Sequence, residues 1–161
     1  MTFHQTGGCQ CGAVCFEITA PPNLAYTCHC TDCQRLTGSA FSMGLVVAAE
    51  AFHPSGGETR PFERTTESGR ISTHWVCARC GTWICGGPKP GIAEPGTLVI
   101  VRAGTLDDTS WLRPVAHFWT RSAQPWLTLP EGTPRSETQP PDFGWMRSPR
   151  AVDAARRWHC V

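Results

Sequence analysis

Seven of the ten cysteines fall into three tight clusters, Cys9-Gln-Cys11, Cys28-His-Cys30-Thr-Asp-Cys33 and Cys77-Ala-Arg-Cys80. A structural zinc site takes four protein ligands in a tetrahedron, whereas a catalytic one takes three and keeps a fourth position for water or substrate. Seven thiolates divide into one closed site and one open site. Chemistry is expected at the open one.

The residues that follow each cluster suggest how the thiols group. Cys11 precedes Gly12 and Cys80 precedes Gly81, and glycine tolerates the positive φ that a tight metal knuckle often needs. Cys9/Cys11 and Cys77/Cys80 therefore read as two matched half-sites brought together by folding. Cys33 precedes Gln34 instead, leaving Cys28, Cys30 and Cys33 as a self-contained tripod. Two rival readings stay open for that tripod. A fourth ligand from Cys15, Cys85, His29, His53 or His74 would close it, or Cys30 and Cys33 would act as a redox dithiol, since Cys-x-x-Cys spacing can lower a thiol pKa. His29 lies inside the tripod and reads either as a proton carrier near neutral pH or as a residue that caps the loop. Cys15 and Cys85 lie in strand-like segments and read as plain buried residues.

The elements that must carry these clusters are short. Gly (16) and Pro (14) are spread throughout and divide the chain. Strands are expected over Ala13–Ile18, Ser39–Val47, Ile71–Val76, Thr82–Cys85, Thr97–Arg102 and Ala116–Thr120, each β-rich and bounded by turn residues. Helical periodicity is confined to Thr31–Leu36, right after the tripod, and Ala151–His159. The expected class is all-β, with few short helices. Pro130–Pro149 is rich in Pro, Ser and Thr and is expected to run over the surface or lie disordered. The chain divides into a zinc-binding domain over 1–130 and a Pro-rich extension over 131–161.

Charged residues make up 17% of the chain and the formal net charge is +1, so no charge pulls it toward nucleic acid or an anionic membrane. No cationic stretch followed by an apolar one opens the sequence, and the longest apolar run, Gly44–Ala49, is too short to span a bilayer. A cytoplasmic protein is expected, in a compartment that keeps thiols reduced and favours metal sites over disulfides. Trp75, Trp83 and Trp119 sit in strand-like segments and are expected in the core. Arg35, Arg64, Arg70 and Arg102 are candidates for holding a ligand anion, set against a reading as ordinary surface arginines.

The order of motifs Gly7-Gly-Cys-Gln-Cys-Gly-Ala-Val14, Cys28-His-Cys-Thr-Asp-Cys-Gln-Arg-Leu-Thr-Gly-Ser-Ala-Phe41 and Cys77-Ala-Arg-Cys-Gly-Thr82 resembles the glutathione-dependent formaldehyde-activating enzyme family, which includes centromere protein V. Pro114–Trp119 and Gln124–Leu127 resemble its C-terminal segment. The resemblance implies a zinc-binding fold of the Mss4-like or β-tent kind with two zinc ions per chain. Cys9, Cys11, Cys77 and Cys80 would hold the structural zinc, and Cys28, Cys30 and Cys33 the catalytic one. It also implies a carbon–sulfur lyase or synthase that adds a small thiol, such as glutathione, to a small aldehyde, such as formaldehyde.

Two other classes of function compete. A non-catalytic zinc module would bind a macromolecular partner, as the likeness to centromere protein V suggests. A thiol-redox enzyme would use Cys30 and Cys33. A reductase of the methionine-sulfoxide kind is disfavoured, because no cysteine here sits in the Arg-Cys-x-Asn setting expected of one.

Overall fold

In the computed structural model, residues 3–67, 69–91 and 96–140 are described. Eleven strands and one α-helix occur among them: β1 (Gln5–Gly8), β2 (Val14–Ile18), β3 (Leu24–Cys28), α1 (Thr31–Thr37), β4 (Ser42–Ala48), β5 (Phe52–Gly56), β6 (Thr59–Thr65), β7 (Ile71–Cys77), β8 (Trp83–Gly86), β9 (Leu98–Arg102), β10 (Ala116–Phe118) and β11 (Arg135–Ser136). The all-β class holds, with a single short helix and three 3₁₀ turns. No helix among the described residues is long and apolar enough to cross a membrane.

The chain forms two compact units. Residues up to Pro22 join Leu45–Ser110 in the first, and Asn23–Gly44 join the chain from Trp111 in the second. In the first unit, β2 pairs antiparallel with β1 on one side and with β5 on the other. Its side chains alternate strictly: Val14, Phe16 and Ile18 are buried while Cys15 and Glu17 face outward. The expectation of a buried Cys15 is therefore corrected. The period-2 pleat puts Cys15 on the face opposite Phe16, and the inward face is where Phe16 meets Phe52 at a centroid distance of 5.3 Å. Cys85, on β8, is fully buried as expected. Strands β6, β7, β8 and β9 form an antiparallel ladder, with a register shift between Trp75 and Val76 just before Cys77.

In the second unit β10 runs parallel to both β3 and β11. β3 is buried at every position, as strands covered on both faces are. Tyr26 on β3 packs against Phe118 on β10 at 4.6 Å between ring centroids. β11 belongs to the Pro-rich segment; the rest of that segment, with the helix expected over Ala151–His159, lies outside the described residues.

Other expectations shift at particular residues. β4 begins at Ser42 rather than Ser39, because α1 ends in Gly38 at φ 62° and a turn intervenes. β10 stops at Phe118, because Trp119 takes a left-handed φ of 58° and opens a 3₁₀ turn over Thr120–Ser122. Trp75, Trp83 and Trp119 are half-buried rather than core. Trp75 and Trp83 lie on strands β7 and β8, whereas Trp119 lies just past the end of β10.

Candidate functional site

Two cysteine clusters have their ligand atoms within 4.8 Å of one another: Cys9, Cys11, Cys77 and Cys80 in the first unit, and Cys28, Cys30 and Cys33 in the second. Local backbone turns build the two knuckles of the first and the whole of the second.

The four-cysteine cluster is built from two knuckles with one design. The Cys9 N–H donates to the Val14 carbonyl at 2.9 Å, and the Gly12 N–H returns to the Cys9 carbonyl at 3.0 Å. In the second knuckle the Cys77 N–H donates to Thr82 and the Gly81 N–H to Cys77, both at 2.9 Å. Gly12 and Gly81 sit at φ 72° and 77°, the left-handed conformation that admits glycine without a Cβ clash. These turns close the loops and leave N–H groups for sulfur: Val14 N–H donates to Cys9 Sγ at 3.2 Å. The sulfur of Cys11 lies 3.4 Å from that of Cys9 and 3.9 Å from that of Cys77. Zn–S bonds of ~2.3 Å in a tetrahedron set S···S edges of about 3.8 Å, so the four sulfurs fit one ion.

The electrostatics of the bare thiols point the same way. The Thr82 hydroxyl and backbone hold Cys80 down to about 5. Ala13 N–H favours ionisation of Cys11, yet Cys9, burial and the other thiols outweigh it and push Cys11 up to about 11. Thiols of one cluster pushed in opposite directions, Cys80 down and Cys11 up, suit a divalent cation that favours thiolate at each ligand.

The tripod begins at the end of β3, where Cys28 closes the strand, and ends inside the first turn of α1. Cys30 is the N-cap of α1, and its Sγ accepts from the Cys33 N–H at 3.2 Å. The spacing i, i+3 brings both sulfurs to the start of one helix. All three cysteines are less than a tenth exposed. The Cys30 and Cys33 thiols, followed by burial, raise Cys28 well above the ordinary thiol value. Cys28 favours the Cys30 thiolate, but Cys33 and burial outweigh it and Cys30 is raised as well. The donor set again fits a cation that would carry the thiolate charge. No fourth Cys, His, Asp or Glu atom joins these three among the described residues. His29, His53, His74, Cys15 and Cys85 therefore do not close the tripod. His53 is exposed on β5 beside Thr19, and His74 packs edge-on against Trp83.

His29 is fully buried. Its ring packs 5.4 Å from that of Phe41 and 5.7 Å from that of His117. The Thr27 hydroxyl bridges the two imidazoles, 3.0 Å from His29 Nε2 and 2.6 Å from His117 Nδ1. Burial lowers the His29 pKa against a smaller opposite pull from Cys30. Burial also lowers that of His117, with the charges of His29 and Arg135 adding to it. His29 thus stands as a neutral imidazole anchored inside the unit.

Of the candidate arginines, Arg35 lines a cleft of about 490 Å³, with Thr31, Gln34, Gly38, Ser39, Ala40 and Gln124. Thr31, Gln34, Arg35 and Gly38 recur at i, i+3, i+4 and i+7, which places them on one face of the helix that carries Cys33. Arg102 is not a surface residue. It is buried, with its guanidinium 4.1 Å over the Trp83 ring. Burial pushes the adjacent Cys85 thiol up to about 12 despite the opposing Arg102 charge. Arg64 is half-buried and Arg70 exposed. Residue-by-residue reading did not single out Thr27, although it precedes Cys28, nor His117, Ser122 and Gln124, which lie far from the tripod along the chain. Gln34 carried one signal, its departure from the Cys-Gly pattern of the two knuckles.

The family described as glutathione-dependent formaldehyde-activating enzyme matches residues 4–122. Among solved structures, the chain is similar to a crystal structure of a Rhodobacter sphaeroides protein. The identity is 19% and the TM-score 0.45, over 63% of this chain and 87% of that one.

Proposed function

This chain belongs to the glutathione-dependent formaldehyde-activating enzyme family, and from that premise we propose that it adds a small thiol such as glutathione to a small aldehyde such as formaldehyde. The reaction would take place at zinc held by Cys28, Cys30 and Cys33, with a second, structural zinc held by Cys9, Cys11, Cys77 and Cys80. The observation that carries this reading is the tripod, three thiols within 4.8 Å of one another with no fourth ligand atom among the described residues.

Zinc in such a site lowers the pKa of an incoming thiol and polarises an aldehyde oxygen. The three cysteines supply net negative charge, which blunts the pull on the carbonyl and leaves thiol ionisation as the main service. The thiol sulfur bonds to the aldehyde carbon, the C=O π pair moves to oxygen, and oxygen takes a proton. Thiol and aldehyde combine into an S-hydroxymethyl adduct with nothing released. Burial of Cys28, Cys30 and Cys33 keeps water from competing around the sulfurs.

The cleft on α1 supports a charged thiol. Its one cationic side chain is Arg35, with the Thr31 and Ser39 hydroxyls beside it, a set suited to a carboxylate. The redox alternative calls for a Cys30 thiol of lowered pKa, and Cys30 is shifted upward.

The test is zinc per chain by elemental analysis, paired with glutathione–formaldehyde exchange followed by NMR. Wild type is expected to hold two zinc ions and to accelerate exchange over the spontaneous rate. Cys33→Ser is expected to hold one and to lose the acceleration. A two-zinc wild type without acceleration would move the reading to a non-catalytic zinc module. A Cys33→Ser variant that keeps both metal and rate would remove the tripod from the chemistry.

A further inference from the structure

We propose that Gln34, assisted by Ser122, is a positioning residue for the tripod: its amide clamps the His29 carbonyl and so fixes the peptide plane from which Cys30 departs. The inference rests on the reading of the tripod as a metal site and goes beyond it. It assigns a role to the residue that replaces the glycine of the other two cysteine motifs.

The carbonyl of His29 belongs to the planar peptide bond that leads into Cys30. It accepts from Gln34 Nε2 at 2.8 Å and from Ser122 Oγ at 3.0 Å. On the other side of the same residue, the His29 N–H donates to the Phe118 carbonyl at 2.9 Å. The histidine between two tripod cysteines is thus held at both of its backbone polar groups, as well as through its ring to Thr27.

The Gln34 amide is committed almost completely. One Nε2 hydrogen goes to His29 and the other to the Ser122 carbonyl at 2.9 Å. Its Oε1 accepts from Gln124 Nε2 at 3.2 Å, and Gln124 Oε1 in turn accepts from Trp126 Nε1 at 2.6 Å. This chain of bonds fixes which end of the amide is nitrogen, because the flipped amide would set oxygen against two carbonyls. Ser122 has one hydroxyl hydrogen, shared between the His29 carbonyl and the Trp119 carbonyl at 3.1 Å, so Gln34 is the principal donor. Ser122 is placed by the 3₁₀ turn that Trp119 opens at φ 58°. A bulky residue seldom adopts that conformation and holds it only when its surroundings over-determine it.

A glycine after Cys33 would supply turn freedom that α1 does not need, because the helix continues to Thr37. Glutamine there ties the helix back to the loop before it. Outer partners of this kind orient the residues that hold a metal, and their loss typically costs 10- to 100-fold in metal affinity.

The test loads the full chain with cobalt(II), whose thiolate bands report the sulfur environment, and follows release to EDTA. Wild type should release in two phases, and Cys33→Ser identifies the tripod phase by lacking it. Gln34→Leu is expected to speed that phase by at least about 10-fold and alter its band, with the four-cysteine phase unchanged. Ser122→Ala should speed it less, and Ser122→Thr, which keeps the hydroxyl, should restore the wild-type rate. This second pair carries the test if Gln34→Leu does not fold. A tripod phase unchanged in both Gln34→Leu and Ser122→Ala overturns the proposal, and so does equal acceleration of both phases. A wild type with a single phase fails the metal reading before any variant is compared.

Discussion

The sulfurs of Cys11 and Cys77 lie 3.9 Å apart although 66 residues separate them, so each knuckle completes its ligand set only through the fold of the unit. Metal binding at such a cluster is therefore folding free energy. Cys77, fully buried, is the ligand whose loss exposes this. Cys77→Ser should lower the zinc count by one and cost more than about 4 kcal/mol, the range associated with losing a metal. In a chain of this size that is a fall of roughly 8–16 °C in Tm by thermal unfolding. A variant with unchanged Tm would mean that the cluster contributes nothing to stability.

Metal uptake by the tripod should be steeply pH-dependent. Neighbouring thiols and burial raise Cys28, and Cys30 is raised too, so both are protonated in the metal-free chain near neutrality. Zinc must displace those protons, and affinity falls as pH is lowered. Competition with a calibrated indicator between pH 6 and 8 should show affinity rising with pH by more than one proton per ion. A flat profile would contradict thiolate ligation.

Cys15 and Cys85 should behave oppositely toward alkylation. Cys15 faces outward on β2, whereas Cys85 is buried with its thiol held near 12. Iodoacetamide reacts with thiolate, so at pH 8 the zinc-loaded chain should label at Cys15 and stay unlabelled at Cys85 until denatured. Peptide mapping by mass spectrometry reads both at once. Early labelling of Cys85 would refute its placement.

Arg35→Gln should raise KM for glutathione by about 10-fold, the scale of ~1.4 kcal/mol for one charge-assisted contact, with kcat little changed. An uncharged thiol such as 2-mercaptoethanol should be unaffected, and zinc content should stay at the wild-type value. An equal effect on both thiols would remove Arg35 from thiol recognition.

The chemistry was legible in the sequence because its spacing is local. Cys30 and Cys33 are three residues apart, and any helix beginning there brings their sulfurs together. Gly12 and Gly81 mark matched turns in the sequence itself. β3 escaped detection because a strand buried on both faces has no alternation to read. β6 escaped because Pro61 and its exposed polar positions hide a strand defined only by pairing with β7. Cys15 was misplaced because its segment reads as a strand, but which face of that strand is inward depends on where Phe52 lies.

By itself, then, the sequence determined the all-β class, the three cysteine motifs and the knuckle turns that Gly12 and Gly81 mark. These follow from composition and from contacts a few residues long, where backbone geometry leaves few choices. Only the tertiary structure decided what surrounds the thiols. The Gln34–Ser122 and Gln34–Gln124 contacts span 88 and 90 residues. The burial of His29, the stacking of Arg102 on Trp83 and the cleft beside Arg35 likewise require the strands to have packed. A hydrogen bond between distant side chains leaves no periodic trace in the chain, because its partners meet only when the intervening strands have found their neighbours.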